Sequence, residues 1–408
     1  MFGTPLYVYD LDLLKRVYTE LRQGLTPHVE IFYSVKANPA LGICGVFHRL
    51  GTGAEIASLG ELETVLKAGF SPDEIVYAGP GKTARELEAA VEAGILSINA
   101  ESLDELEDMA EIGERLGKRA AVSVRVNPVA NVSGSHQRMG GEASPFGIDE
   151  EKLPEALRLV ASRESLELRG IHVYVGNQIL DAPSALRNME NTLEIARRAA
   201  PFFPENRVPL VNLGGGWGVP YYKREPFLDA ARLVDSLNRL IEEAAREPVF
   251  RGARFILELG RFLTAPCGVF LARVLYTKES RGRRFAVVDG GMQFNAMATG
   301  NLGQKIRRRF LLCAADRMDE EGVEKWDVVG PLCTPMDHYG RDYEAPPLKG
   351  GDLVGVLLAG AYGLTASPVR FLSHPCCAEV AVSGGEARPI RRRETAKDVL
   401  DKQFLLEE

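Results

Sequence analysis

The sequence predicts an α/β protein with a (β/α)₈ TIM barrel and a C-terminal antiparallel β domain. From about residue 30 to about residue 262, short β-branched segments alternate with amphipathic helical segments, a pattern typical of a parallel sheet with right-handed crossovers. Eight strand segments alternate in this way, which favours a closed barrel over an open sheet. The predicted strands are Ile31–Ala37, Gly53–Ser58, Ile75–Gly79, Leu96–Ala100, Ala121–Pro128, Gly170–Gly176, Leu210–Gly216 and Phe255–Arg261.

The segments between these strands have the periodicity of amphipathic helices. In Leu59–Ala68, apolar residues recur every three or four positions behind Ser58, a residue type that caps helix N-termini. Two more helices are predicted at Ala84–Ala93 and Ser102–Leu116, and one before the barrel at Leu11–Leu25.

Beyond Arg261 the pattern changes, because strand-like segments follow one another without helices of comparable length between them. These segments predict a mostly antiparallel β domain, for which Leu6–Asp10 is a further candidate strand. The predicted boundaries are 26–264 for the barrel, with 1–25 and 265–408 forming the β domain. The strands predicted in the second half are Gly268–Tyr276, Arg284–Asp289, Trp326–Val329, Asp352–Leu358 and Ala378–Ser383.

The amino-acid composition argues against several classes of function. The chain has 408 residues, of which 45% are apolar and 26% charged, and a formal net charge of −7 argues against a nucleic-acid binder. No secretory signal and no membrane-spanning apolar segment is visible, so a cytoplasmic protein is expected. Six cysteines lack metal-ligand spacing, which predicts free thiols and no metal site. They are Cys44, Cys267, Cys313, Cys333, Cys376 and Cys377.

Two candidate functional features lie at strand ends, where barrel enzymes place their active sites. Lys36 closes an apolar strand, and partial desolvation would lower its pKa and prepare it to attack an aldehyde. The alternative is a lysine that extends to solvent at the barrel rim. Gly214, Gly215 and Gly216 end the seventh strand and would let backbone N–H groups approach a phosphate, although a glycine run also marks a simple turn.

Other polar residues end the sixth and eighth strands. Glu258 could face a pyridine nitrogen and keep it protonated, or it could form an ion pair with Arg261. Tyr174 shares a strand face with His172 and could stack on a flat cofactor ring, although core packing is an alternative. Asn177 could reach a phosphate or phenolic oxygen of the same cofactor.

An ordered set of motifs resembles the fold-type III pyridoxal-phosphate decarboxylases, the group of ornithine and diaminopimelate decarboxylases. The resemblance runs over nearly the whole chain, and although each motif is common, the ordered set is highly specific. The motifs are Tyr33-Ser34-Val35-Lys36-Ala37-Asn38, Glu55-Ile56-Ala57-Ser58, Gly60-Glu61-Leu62, Val124-Arg125-Val126-Asn127-Pro128, Gly214-Gly215-Gly216, Glu258-Leu259-Gly260-Arg261, Gly330-Pro331-Leu332-Cys333 and Gly360-Ala361-Tyr362.

The resemblance implies a role for each matching residue. Lys36 would form a Schiff base with pyridoxal 5'-phosphate, beside Glu55, and Glu258 would pair with the pyridine nitrogen. Cys333 would reach across a homodimer interface into the partner's site and donate the proton that replaces carbon dioxide, with Thr334 and Asp337 near the substrate. The remaining cofactor-binding residues implied are Arg125, Tyr174, Asn177, Gly214, Gly215, Gly216, Gly260, Arg261 and Tyr362.

The sequence departs from the family pattern at informative positions. Tyr174 replaces the usual ring-stacking histidine, and Glu55 replaces an aspartate. Thr334 follows Cys333, where enzymes for basic substrates place an acidic residue that binds a distal ammonium group. Without that carboxylate, a free diamino acid would lose a bond of about 1.5–3 kcal/mol. Phe294-Asn295-Ala296-Met297 stands where diaminopimelate enzymes carry an arginine-proline segment.

Further segments resemble a biosynthetic subgroup that includes carrier-protein-linked amino-acid decarboxylases. A carrier-bound amino acid would explain a site without an ammonium clamp, and the basic stretch Lys305–Arg309 would then dock an acidic carrier. The segments are Met139-Gly140-Gly141, Phe146-Gly147-Ile148-Asp149, Asp289-Gly290-Gly291-Met292, Gly300-Asn301-Leu302-Gly303-Gln304, Cys333-Thr334-Pro335 and Phe371-Leu372-Ser373-His374-Pro375.

Three alternative functions stay open on the sequence. A diaminopimelate decarboxylase shares most of the motifs. An amino-acid racemase shares the barrel and the lysine, but typically has an arginine in place of Glu258. A non-catalytic homologue would have little need for Lys36, the glycine run and Cys333 together.

Overall fold

The computed structural model describes residues 2–129, 137–138, 143–302 and 308–406. The chain divides into two compact units. The barrel unit comprises Val17–Val219 and Pro226–Phe262, and the β unit comprises Met1–Arg16, Pro220–Glu225 and Leu263–Glu408. The domain boundaries predicted from the sequence stay a prediction.

The barrel unit contains a closed ring of eight parallel strands, which confirms the predicted TIM barrel. Pairing of the fourth strand with the fifth closes the ring. The strands are Val29–Ser34, Gly53–Ile56, Ile75–Tyr77, Ser97–Ala100, Ala120–Asn127, Leu166–Val173, Leu210–Gly215 and Arg254–Leu259. Three short strands add to this unit: Ile148–Asp149 beside the fifth strand, and the antiparallel pair Gln137–Arg138 and Gly176–Asn177.

Several barrel strands contribute apolar side chains to a buried core. Phe32, Val76, Leu210 and Ile256 form one buried apolar cluster. Gly53 is required beside Phe32, because a Cβ at this glycine would lie 2.5 Å from the Phe32 ring. The interior is therefore a packed core, and chemistry is confined to the strand ends.

The helices begin and end at local sequence signals. Ser58 accepts a hydrogen bond from Glu61 N, and Thr83 forms a capping box with Glu86. Gly69 and Gly94 end these two helices in the left-handed conformation that glycine adopts without strain. The helices are Leu11–Gly24, Leu41–Arg49, Leu59–Ala68, Ala84–Ala93, Leu103–Leu116, Leu153–Ser162, Ala182–Ala199, Ala230–Ala244, Arg261–Thr264 and Ala396–Leu400. None of the helices among the described residues has the length and hydropathy needed to cross a bilayer.

The β unit is a mixed sheet in which antiparallel pairs predominate. Leu6–Asp10 belongs to it, pairing antiparallel with Gly268–Ser280 and parallel with Ala378–Ser383, as the sequence suggested. The other strands are Arg283–Val288, Leu312–Ala314, Glu324–Val329, His338–Ala345, Leu353–Val356 and Glu386–Arg391. The strands at His338–Ala345 and Glu386–Arg391 were not predicted, because both are rich in charged residues and lack an apolar alternation.

Candidate active site

Lys36 lies just beyond the first barrel strand, on a 3₁₀ turn at Val35–Ala37 rather than at the end of the strand itself. Its Nζ is 2.6 Å from Glu55 Oε1; the Glu55 side chain is fully buried, whereas 37% of the Lys36 side chain is exposed. Burial raises the pKa of Glu55, while Lys36 opposes this shift and Glu258 adds to it. The ion pair therefore holds an accessible amine at the barrel mouth, beside a carboxyl group that can accept its proton.

Glu258 is a buried carboxylate on the eighth barrel strand. Its Oε1 accepts a hydrogen bond of 2.6 Å from Asn212 Nδ2, and its Oε2 lies 3.6 Å from His172 Nε2. Burial alone would raise the pKa of Glu258, but His172, Lys36 and Asn212 outweigh it and lower that pKa to about 2. A fixed negative charge is thus maintained inside the barrel.

The glycine run Gly214–Gly216 passes against its neighbouring strands. A Cβ at Gly215 would lie 1.7 Å from the Glu258 carbonyl oxygen. Gly216 has a φ of +78°, and a Cβ there would lie 2.1 Å from the Gly176 carbonyl oxygen. Glycine is therefore required by packing, and the run also leaves a backbone without side chains where an anion can approach N–H groups.

Tyr174 lies beside two cations. The Lys36 Nζ is 5.7 Å from the centre of its ring, and the Arg125 guanidinium is 5.9 Å from it. Arg125 is buried, pairs with Glu101 Oε1 at 2.6 Å and lies 5.1 Å from the Phe146 ring. A flat ring bordered by fixed cations suits recognition of a planar, anionic ligand.

Comparison with known proteins identifies the family. A family model described as "Pyridoxal-dependent decarboxylase, pyridoxal binding domain" matches residues 11–265. The chain belongs to the pyridoxal-dependent decarboxylase family. It is 39% identical to the L-glutamyl-[BtrI acyl-carrier protein] decarboxylase of Niallia circulans, covering 100% of this chain and 95% of that protein. It is 33% identical to a diaminopimelate decarboxylase of Aquifex aeolicus, covering 96% and 90%. The solved diaminopimelate decarboxylase of Helicobacter pylori, complexed with L-lysine, matches with a TM-score of 0.87, at 29% identity and coverages of 98% and 96%.

Membership establishes a pyridoxal-phosphate-dependent carboxy-lyase, so the racemase and non-catalytic alternatives are set aside. The barrel residues of this decarboxylase fit the cofactor. Lys36 supplies an amine, Glu258 a buried negative charge and Gly214–Gly216 a glycine cradle that a Cβ would fill. The two ring nitrogens of His172 are buried with no hydrogen-bond partner among the described residues, which fits a site built around a further polar group.

The β unit of the decarboxylase presents Cys333 on a loop that Asp337 holds closed. We call Gly330–Asp337 the cysteine loop. Asp337 Oδ2 accepts a hydrogen bond of 2.9 Å from Leu332 N, and its Oδ1 accepts one of 2.7 Å from Met292 N. Gly330 N donates to the Asp337 carbonyl oxygen at 3.1 Å. Cys333 itself is exposed, so a restrained loop displays a solvent-accessible thiol.

Asp337 is only 3% exposed, and its carboxylate fills the space that two glycines leave open. A Cβ at Gly291 would lie 2.3 Å from Asp337 Oδ2, and one at Gly330 would lie 2.2 Å from the same atom. Both oxygens are therefore engaged inside the β unit. The substrate contact predicted for Asp337 stays a prediction, and the geometry favours a role in holding the loop. Thr334 is half-buried on the same loop.

The other residues expected at the cofactor lie in short elements and bends. Tyr362 has a φ of +52°, an uncommon backbone conformation for a bulky side chain and one that clusters at functional sites. Gly260 follows the eighth strand, where a Cβ would lie 2.7 Å from Ala37 Cβ. Arg261 begins the short helix Arg261–Thr264, and Asn177 lies in a two-residue strand. Their contacts with the cofactor stay predictions.

Three residues of the barrel site were not assigned a role from the sequence. Asn212 is an isolated polar residue in an apolar strand, which is a signal that could have identified it. His172 was noted only as sharing a face with Tyr174. Glu101 directly follows the fourth barrel strand, and Glu55 lies in the second. A carboxylate at the end of a barrel strand was therefore a signal that could have identified Glu101.

Part of the sequence evidence for the carrier-linked subgroup lies outside the described residues, namely Met139-Gly140-Gly141, Gly303-Gln304 and Lys305–Arg307. Of the basic stretch Lys305–Arg309, two residues are described. Arg308 pairs with Glu225 at 3.2 Å and lies 5.3 Å from the Tyr222 ring. Arg309 Nε donates to the His338 carbonyl oxygen. Because both arginines contact their own chain, carrier docking at this stretch stays a prediction without structural support.

Proposed function

We propose that this decarboxylase acts on an amino acid of the glutamyl type that is bound to an acyl-carrier protein through a side-chain thioester, which leaves the α-carboxylate free to depart as carbon dioxide. The proposal rests on Thr334, a neutral residue beside Cys333. An enzyme that binds a distal ammonium group needs a carboxylate at this position. The full-length similarity to a carrier-protein-linked glutamyl decarboxylase supports the same substrate. A glutamyl side chain has no distal ammonium group, so a threonine here leaves no charge unpaired.

Some barrel residues would bind the cofactor, and Glu258 would control the protonation of its ring. The N–H groups of Gly214–Gly216, with Arg261 and Tyr362, would hold the cofactor phosphate. Tyr174 would stack on the cofactor ring, and Arg125 would lie near the ring oxygen. Pyridoxal phosphate, when bound, supplies an electron sink for the bond that releases carbon dioxide. Glu258, with its lowered pKa, would keep a proton on the ring nitrogen.

Lys36 and Cys333 would handle the remaining proton and bond chemistry. Lys36 would attach the cofactor through its amine, with Glu55 Oε1, 2.6 Å away, as the group that takes or returns its proton. Cys333 would donate a proton to the substrate carbon after carbon dioxide leaves. We infer that it does so in a partner subunit's barrel, so the active unit would be a homodimer with shared sites.

The deciding experiment incubates purified holoenzyme with matched free and thioester-linked amino acids and measures carbon dioxide release. Free L-glutamate, meso-diaminopimelate and L-ornithine form one arm, and carrier-loaded L-glutamyl thioester forms the other. We expect kcat/KM for the loaded carrier to exceed that for every free amino acid by at least about 10²-fold, since much binding energy would come from the carrier. Faster turnover of a free amino acid would contradict the proposal.

Diaminopimelate decarboxylation is the second candidate, supported by 33% identity to the Aquifex aeolicus enzyme and by the Helicobacter pylori structure. Thr334→Glu separates the two. If the natural substrate carries a distal ammonium group, the added carboxylate should improve its KM by about tenfold or more. If the substrate is a glutamyl thioester, its distal end is a neutral thioester, so the same carboxylate should not improve its KM. Thr334→Gln is the uncharged control.

A further inference from the structure

One face of the β unit carries an open depression of about 680 Å³ that ends at the cysteine loop. Cross-strand register places its lining residues in rows. Val287 pairs with Val329, Phe285 pairs with Asp327 and with Lys278, and Arg283 pairs with Ser280. Because side chains two residues apart share a face, these residues all lie on one side of the sheet.

The rows form a gradient from charge to apolar surface. Arg283 and Ser280 form the row at the end remote from the cysteine loop, and Lys278 lies in the next row, opposite Phe285. The half-buried Phe285, Val287 and Val329 follow, and the lining continues onto the loop itself with Leu332, Thr334 and Pro335. Val287 lies four positions after Arg283, so the sheet part of the depression is about 13 Å long at about 3.3 Å per residue.

Two cations in the depression are without a countercharge. Arg283 is neutralised, since it donates to both Asp327 oxygens at 2.8 and 2.7 Å. Lys278 and Arg341 are exposed, and neither side chain forms a salt bridge or hydrogen bond with another described residue. The depression therefore offers a net positive charge to an anion.

A buried polar atom lies in the same lining. His338 is 8% exposed, and its Nδ1 has no hydrogen-bond partner among the described residues. A buried imidazole nitrogen of this kind calls for a polar partner, because leaving it without one costs about 1–3 kcal/mol. The lining thus combines cations, an apolar stretch and a buried imidazole nitrogen.

We propose that this depression binds the phosphopantetheine arm of the carrier-bound substrate. That arm has a phosphate at one end, a dimethyl group and two amides along its length, and the thioester at the other end. Lys278 and Arg341 contact the phosphate, Phe285 and Val287 contact the apolar stem, and His338 contacts an amide. The thioester then lies at Thr334, adjacent to Cys333. This assignment rests on the proposed function, because only a carrier-bound substrate has such an arm.

The test compares two small thioesters on the holoenzyme: L-glutamyl phosphopantetheine and L-glutamyl pantetheine, which lacks only the phosphate. In the wild type, we expect KM for the phosphorylated compound to be lower by about 10- to 100-fold. In Lys278→Ala/Arg341→Ala, KM for the phosphorylated compound should rise to that of the other, with kcat and the KM of the other unchanged within about twofold. Arg388→Ala/Lys397→Ala removes two charges elsewhere in the β unit and should leave all values unchanged.

The outcomes separate this inference from the proposed function. Equal KM values for the two thioesters in the wild type, or an equal rise for both in the double variant, would overturn the arm-binding site while thioester decarboxylation stands. A wild type that turns over neither thioester nor loaded carrier would overturn the proposed function itself. Sedimentation velocity, which measures the oligomeric state, is the second readout. If the double variant dissociates into monomers and loses activity on both thioesters equally, this face is a subunit interface and the arm-binding site is overturned.

Discussion

Asp337→Asn isolates the contribution of the cysteine loop to catalysis. The carboxylate accepts backbone hydrogen bonds from Leu332 and Met292 at 2.9 and 2.7 Å while 3% exposed. An amide supplies one acceptor oxygen, but its NH₂ group must then face a backbone N–H. One charge-assisted bond is lost, which should lower the free energy of unfolding by about 1.5–3 kcal/mol.

The same change should reduce kcat, because the thiol of Cys333 depends on this loop for its position. A displacement of about 1 Å at a reacting group costs up to about 10²-fold in rate, so we expect kcat to fall about 10- to 100-fold. Binding of pyridoxal phosphate, measured by absorbance, should be unaffected, since Lys36, Glu258 and Gly214–Gly216, which would hold the cofactor, lie in the barrel unit.

Asp342→Asn is the matched control, because Asp342 is exposed, lies on the strand that follows the loop and has a φ of +49°, which asparagine tolerates. It should change neither kcat nor the melting temperature appreciably. The reasoning is refuted if Asp337→Asn keeps kcat within twofold of wild type with unchanged stability, since the loop would then not depend on this carboxylate.

Three other predictions follow. Lys36→Ala should abolish the absorbance band at about 420 nm that bound pyridoxal phosphate gives, with an unchanged circular dichroism spectrum. Gly215→Ala should destabilise the protein by at least about 1–3 kcal/mol in denaturant unfolding, because its Cβ would lie 1.7 Å from the Glu258 carbonyl oxygen, whereas Gly81→Ala meets no atom within 4 Å and should be neutral. Burial lowers the pKa of His338 from 6.5 to about 4, so the unfolded state binds the extra proton between these values. Stability should therefore fall as the pH drops from 6.5 to 4, and His338→Gln should reduce that loss by about 1–2 kcal/mol; equal slopes for both proteins would contradict this.

The sequence predicted best those elements that local signals define. Leu59–Ala68 and Ala84–Ala93 have the predicted bounds, because each starts at a capping side chain and ends at a glycine with positive φ. The same reasoning located the closed barrel, since eight apolar strand segments alternate with such helices. Both signals act over a few residues, which is why they can be detected without the fold.

Features set by distant partners could not be predicted in this way. The strand His338–Ala345 is charged and reads as a loop, yet it pairs with Glu324–Val329 over most of its length. Arg125 and Glu101 are 24 residues apart in sequence, and the pairing of the fourth barrel strand with the fifth brings them together. Lys36 was likewise predicted to end the first barrel strand, but it lies on the 3₁₀ turn that follows. The turn was missed because Val35–Ala37 continues the apolar pattern of the strand.

The residues proposed for the chemistry and those proposed for substrate selection differ in how tightly they are packed. Gly215 and Gly216 leave no room for even a methyl group, and Glu258 and Glu55 are buried in mutual electrostatic contact. Any change at these positions disturbs several neighbours at once, so the cofactor chemistry is constrained by the barrel core. Thr334, Lys278 and Arg341 lie at the surface of the β unit, where a substitution displaces few atoms. A decarboxylase can therefore acquire a new substrate by changing the surface of this unit while the barrel residues stay fixed.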